Sequence, residues 1–307
     1  MTLAFRIKCR LANGEKISVA GVFDVELPRF FTGNGFEVSL ERPSEGQFGG
    51  AEEFYLVSTG YPTLEDARAN AKEVMARIQI GSVLAEMAVE FSKAESVHGR
   101  VENPDLTHGS TEVQAIQQFE GVTFFRNDLT PRFMEMSGQV FNIRPASFLM
   151  NRFIAVPSHL DEKTILAAEL YCAAQFETSL RAKFLTLVTA VEQLAERHNR
   201  SDEEIDLVDS LLRLVENSGL NPDQKNKLMS ACGGLKKRSI ADGVTLLVEK
   251  HLGPEEVASF ATAHKLRNKL SHAGVGEGLQ VQVCNVQGVV KKLIASLVKD
   301  AIGNAKS

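Results

Sequence analysis

PEEVASFATAHKLRNKLSHAG, residues 254–274, decides how this 307-residue chain reads. Pro254 suits the first turn of a helix, where its missing N–H has no partner to lose and its φ is already helical. Val257, Phe260, Ala263, Leu266 and Leu270 then recur at three- and four-residue spacing, which is one face of a helix. Gly274 follows and can end it. At about 100° per residue, Ala263, Leu266 and Leu270 turn toward a core, and His272, roughly 160° from Leu270, faces away. Asn268, one turn before His272, shares its face and can orient the imidazole. Arg267 and Ser271 form the adjacent row.

Upstream of this helix the same texture continues. Leu180, Phe184, Leu187, Val191 and Leu194 predict a long helix. Ile205, Val208, Leu212 and Val215 predict a second, with Ser201 as its cap. Ile240, Val244, Leu247 and His251 predict a third, stopped by Gly253-Pro254. Downstream, Val286, Val290, Leu293, Leu297 and Ala301 predict a last one. The result is an all-helical bundle over residues 161–307. The segment Ala155–Glu162, with its proline, serine and charges, marks the boundary.

The first part reads differently. Leu3, Phe5 and Ile7 alternate with Ala4, Arg6 and Lys8, the period of a strand. Asn13-Gly14 is a turn signal, after which Ile17 and Val19 resume the alternation. Val22–Leu27, Gly35–Leu40, Glu53–Ser58, Val122–Arg126 and Val140–Ile143 are further strand candidates. Thr63 caps a helix carrying Ala67, Ala71, Val74, Ile78 and Val83 toward Met87. Residues 92–112 read as loop. The fold class is therefore an α+β domain over 1–157, followed by the helix bundle. No recognisable chemistry falls in the first domain, which is expected to sense or regulate.

An apolar fraction of 44 % with 24 % charged residues is that of a soluble globular protein. No uncharged apolar run approaches the roughly 18 residues of a membrane span. MTLAFRIKCR lacks the apolar core of a secretory signal, so a cytoplasmic address and no membrane are expected. Cys9, Cys172, Cys232 and Cys284 are scattered, which predicts free thiols rather than disulfides or zinc. Residues 161–307 carry 19 Lys/Arg and 19 Asp/Glu, so the whole net charge of −5 falls in residues 1–160. Any RNA contact must then come from a local basic patch in the second half.

Arg267 and His272 supply the chemistry that cleavage of an RNA phosphodiester needs. An imidazole can take the proton of an attacking 2′-hydroxyl or give one to the leaving oxygen. A guanidinium can hold the phosphate through paired hydrogen bonds and stabilise the charge that builds up. No cofactor or metal is expected, since the region lacks a carboxylate cluster. Arg267 and His272 stand about 140° apart on one ideal helix. Either Arg267 swings toward His272, or two such helices meet across a two-fold axis and form a composite site.

Leu266–Gly274 resembles the signature of the HEPN family, an Arg, usually followed by a polar residue, then His after four to six intervening positions. Four intervene here, Asn268 to Ser271. Ala182–Leu194, with Ala190, Glu192 and Leu194, is similar to the aliphatic helix ending in Ala-x-Glu-x-Leu in the Apea-like HEPN group. The resemblance covers residues 163–303 and says nothing about 1–155. It implies a four- or five-helix bundle and homodimerisation through the motif helices. It also implies metal-independent endoribonuclease activity, in toxin–antitoxin or anti-phage defence systems with an antitoxin or regulatory partner. Arg267 and His272 would be catalytic and Asn268 orienting. The alternative it leaves is a non-catalytic HEPN module that binds RNA or protein.

Other residues read more plainly. Lys236-Lys237-Arg238 beside Gly233-Gly234 reads as a solvated turn, with a phosphate contact as the alternative. Gly274, Gly276 and Gly278 read as a flexible connection. His98, Asp105 and His108 could ligate a metal but read as surface loop. His251 and His264 lie on apolar stripes and read as packed. Glu192 reads as a structural polar anchor without a catalytic role.

Overall fold

The computed structural model describes residues 3–12, 16–18, 29–32, 34–41, 53–91, 100–101, 111–112, 117–119, 122–126, 143–145, 151–273 and 278–304. An antiparallel sheet comes first and a helical region follows.

At the sheet's centre lies β1 (Leu3–Leu11). One edge of β1 pairs along its length with β5 (Glu53–Tyr61). The other edge is shared: β10 (Val122–Arg126) takes Leu3–Ile7, and β6 (Val89–Phe91) takes Cys9–Leu11. Beyond β5 lie β4 (Glu37–Glu41) and β3 (Arg29–Phe31), and beyond β10 lies β9 (Gln117–Phe119). Phe5, Ile7 and Cys9 point to one face and bury with Phe54, Leu56 and Tyr61. The opposite face is covered as well. Ala4 is fully buried, and Arg6 is only 6 % exposed, its guanidinium 3.6 Å over the Tyr55 ring. The alternation thus set the faces correctly, but cation–π stacking lets an arginine occupy a buried position that polarity alone would assign to water.

Three expectations for this part meet different outcomes. Val22–Leu27 and the Asn13-Gly14 turn lie outside the described residues. Ile17 falls in β2 (Lys16–Ser18), which pairs in parallel with β11 (Ile143–Pro145) rather than with β1. Residues 92–112, expected to be loop, include β7 (Arg100–Val101) and β8 (Thr111–Glu112), which pair with each other. Two-residue strands carry too little alternation to be read from sequence.

Helix α1 (Leu64–Leu84) begins as expected, Thr63 Oγ1 accepting the Asp66 N–H at 3.1 Å with Glu65 and Asp66 at the positive end of the dipole. It stops short of Met87. Glu86 adopts φ 59°, and the Met87 N–H returns to the Ser82 carbonyl at 2.9 Å. The first turns bury Ala67, Ala71, Val74 and Ile78 under the sheet. The last turns place Ile80 and Val83 in the helical core, joined there by Ala12 and Ala88. Gly81 permits this junction: a Cβ there would stand 2.2 Å from a ring carbon of Phe153.

The helical region comprises α2 (Glu162–Phe176), α3 (Leu180–Leu194), α4 (Asp202–Glu216), α5 (Pro222–Gly234), α6 (Ile240–Leu252), α7 (Pro254–Ala273) and α8 (Leu279–Asn304). Asp161, Ser179, Ser201, Asn221 and Ser239 cap the starts of α2 to α6, each accepting a backbone N–H three residues on. Gly253, with φ 91°, alone separates α6 from α7. α5 escaped the sequence reading because none of its side chains is buried and no apolar stripe exists. Its signal was the cap: Asn221 and Gln224 form a reciprocal capping box with Pro222 between them. α4 and α5 pack on each other.

α8 is long and apolar enough, by length and composition, to cross a membrane. Many of its apolar residues are core residues here, while Val281 is exposed. Val283, Val286, Val290, Leu293 and Ile294 are all buried against the other helices, and each such burial is worth roughly 1.5–3 kcal/mol. Lys291 pairs with Glu86 at 2.6 Å and Lys292 pairs with Glu256, tying α8 to the end of α1 and the start of α7.

Candidate functional site

The site grows from the packing of α3 on α7. Phe184, Leu187, Val188, Ala190, Val191 and Leu194 bury one side of α3, and Phe260, Ala263 and Leu270 bury one side of α7. Glu192 sits at the margin of that contact, in the last turn of α3. A carboxylate there opposes the negative end of the helix dipole and needs cationic partners to offset it. It has them on α7. Oε2 lies 3.5 Å from Nη2 of Arg267, and Oε1 lies 3.4 Å from Nε2 of His264. His264 and Arg267, three apart, share the helix face that meets α3. The Glu192 side chain is 13 % exposed, His264 22 % and Arg267 39 %, so the pairing is partly shielded from water.

A second contact fixes the far end of α7. Nη2 of Arg181, in the first turn of α3, donates to the carbonyl oxygen of Leu270 at 2.5 Å. That carbonyl is in the last turn of α7, where backbone acceptors lack intrahelical donors. α3 therefore holds α7 at both Arg181 and Glu192.

The predicted residues are placed as follows. Arg267 turns to the α3 side, and its Nη1 donates to Asn268 Oδ1 at 3.4 Å. Asn268 is exposed. α7 continues unbroken through position 272, which ideal helix geometry puts about 140° around from position 267. The His272 side chain, and with it the expected Asn268–His272 hydrogen bond, lies outside the described residues. Glu192, which reads as a structural polar anchor, pairs with Arg267 across α3 and α7. Its signal was present in the sequence as an acidic residue at the C-terminal end of an apolar helix. His264 is partly buried, its ring 6.4 Å from that of Phe260.

The other described candidates stay outside this site. His251 is 6 % exposed, with Nδ1 3.1 Å from Ser296 Oγ and 3.5 Å from Asp300 Oδ2. Serine and carboxylate meet the same ring nitrogen, so this is a tie between α6 and α8 rather than a nucleophile relay, which needs both nitrogens. The Lys236–Arg238 run is occupied by structure: Lys236 pairs with Asp209 at 2.7 Å, and the Arg238 N–H donates to the His198 carbonyl at 2.8 Å. His98, Asp105, His108, Gly274 and Gly276 lie outside the described residues. The four cysteines are free thiols. Burial raises the pKa of Cys9 and Cys172, which makes them poor nucleophiles.

No family model, no curated protein and no solved structure matches this chain.

Proposed function

We propose that this chain is a HEPN-type, metal-independent endoribonuclease acting in the cytoplasm as a homodimer, with Arg267 and His272 as catalytic residues and Asn268 orienting the histidine. The observation that carries the reading is the meeting of Glu192 with Arg267. These residues belong to the two separate segments on which the resemblance rests, and nothing in their sequence positions required them to touch.

The chemistry follows from the groups present. A 2′-oxygen attacks the adjacent phosphorus while the bond to the 5′-oxygen breaks, leaving a 2′,3′-cyclic phosphate and a 5′-hydroxyl. His272 would move one of the two protons, from the 2′-hydroxyl or to the 5′-oxygen. Arg267 would hold the non-bridging oxygens, oriented by Glu192. A second α7 across a two-fold axis would supply the other histidine. The sheet-containing N-terminal part would regulate, with an antitoxin or regulatory protein as partner in a toxin or anti-phage defence system.

One observation favours the non-catalytic alternative, a module that binds RNA or protein: the charge of Arg267 is already offset by Glu192. Expression of the full chain in a host cell separates the two. Wild type is expected to arrest growth and His272→Ala is not. Equal growth with the two chains would favour the binding module.

A further inference from the structure

We propose that Arg181 is a second phosphate-binding guanidinium of the Arg267 site, contacting the RNA backbone beside the last turn of α7; this rests on the ribonuclease reading above. Arg181 is an exposed residue. Its bond to the Leu270 carbonyl fixes the guanidinium one residue before Ser271 and two before His272.

The charge at this end of α7 favours such a contact. The C-terminal end of α7 carries about half a negative elementary charge from the helix dipole. An RNA phosphate approaching position 272 meets that field. Arg267, the motif's own cation, has a carboxylate 3.5 Å away. Lys265 and Lys269 stand exposed on the same turns of α7, but among the described residues neither is bonded to the carbonyls at its end. Arg181 is so bonded. A guanidinium has five N–H donors, and among the described residues Arg181 spends one, on the Leu270 carbonyl at the negative end of α7, and forms no ion pair. The same bond that anchors the side chain leaves its charge and its remaining donors for an anion.

The competing role is a purely structural tie between α3 and α7. Arg181→Gln tells them apart when two quantities are read together, because the salt slope of RNA binding reads the lost charge and the melting midpoint reads the lost tie. Arg181→Lys is the companion variant that keeps the charge. The probe is a fluorescently labelled single-stranded RNA of about 20 nucleotides, titrated with full-length protein carrying His272→Ala so that it stays intact. With Arg181→Gln, binding is expected to weaken about three- to tenfold at about 100 mM salt. The slope of log affinity against log salt should fall in magnitude by about 0.7, the loss of one phosphate contact on a single strand. Arg181→Lys should keep the slope. An unchanged slope with Arg181→Gln, whatever its effect on the melting midpoint, overturns the assignment of Arg181 while leaving the ribonuclease reading intact. Failure of the wild-type chain to bind or cleave RNA overturns both.

Discussion

Replacing Glu192 with alanine is expected to slow RNA cleavage by about one to two orders of magnitude, with RNA affinity unchanged or tighter. The carboxylate is 13 % exposed and engages Arg267 and His264 at once. Without it, Arg267 loses the group that fixes its orientation but keeps its charge. Binding depends mainly on that charge and the chemical step on its position. Single-turnover cleavage at saturating protein reads the chemical step, and a titration with uncleaved RNA reads affinity. Both partners are more exposed than the carboxylate, so the stability cost of the substitution is expected to be modest, about 1 kcal/mol. Glu192→Gln keeps the shape and should fall between wild type and alanine. Equal cleavage rates for wild type and Glu192→Ala would remove Glu192 from the site.

Gly243→Ala is expected to be the most damaging small substitution in the helical region. Gly243 lies in the first turn of α6, and a Cβ there would stand 2.3 Å from the backbone oxygen of Glu196 and 3.2 Å from its carbonyl carbon. A flexible side chain could retreat from such a clash, but this neighbour is backbone. Either α6 tilts away or the chain after α3 shifts, and overpacking of this kind costs about 2–3 kcal/mol. The shift reaches the site, because the Ala195 N–H is bonded to the Glu192 carbonyl at 3.3 Å. Urea unfolding should therefore show a lower midpoint with unchanged slope, and cleavage should fall with it. Gly288→Ala in α8 is the control. Nothing lies within 4 Å of its added Cβ, so it should stabilise by up to about 1 kcal/mol. A midpoint for Gly243→Ala at or above that of wild type would show that α6 and the end of α3 are not packed this closely.

These two residues also show what the sequence could and could not reveal. Helix positions were legible where apolar residues recur at helical spacing, as in α3, whose stripe is buried, and in α4, where Ser201 caps the start and Val208 is buried. α5 has the cap without the stripe and was missed. Strand identity was legible in β1, β4, β5 and β10, where several residues alternate. The partner of β2 was not, because pairing is a long-range choice that a turn signal at Asn13-Gly14 does not determine. At the site, helix geometry alone separated Arg267 from His272. The link from Arg267 to Glu192 depends on how α3 crosses α7, and no spacing within either helix encodes that crossing. Gly81 and Gly243 read as ordinary helical glycines until the neighbouring chain is placed against them.

The most direct test of the ribonuclease assignment is cleavage of single-stranded RNA by the purified full-length chain in EDTA, comparing wild type with His272→Ala. Wild type should cut and leave 2′,3′-cyclic phosphate ends, and His272→Ala should be slower by about two orders of magnitude or more. Equal rates for the two proteins, or activity that disappears with EDTA, would contradict it.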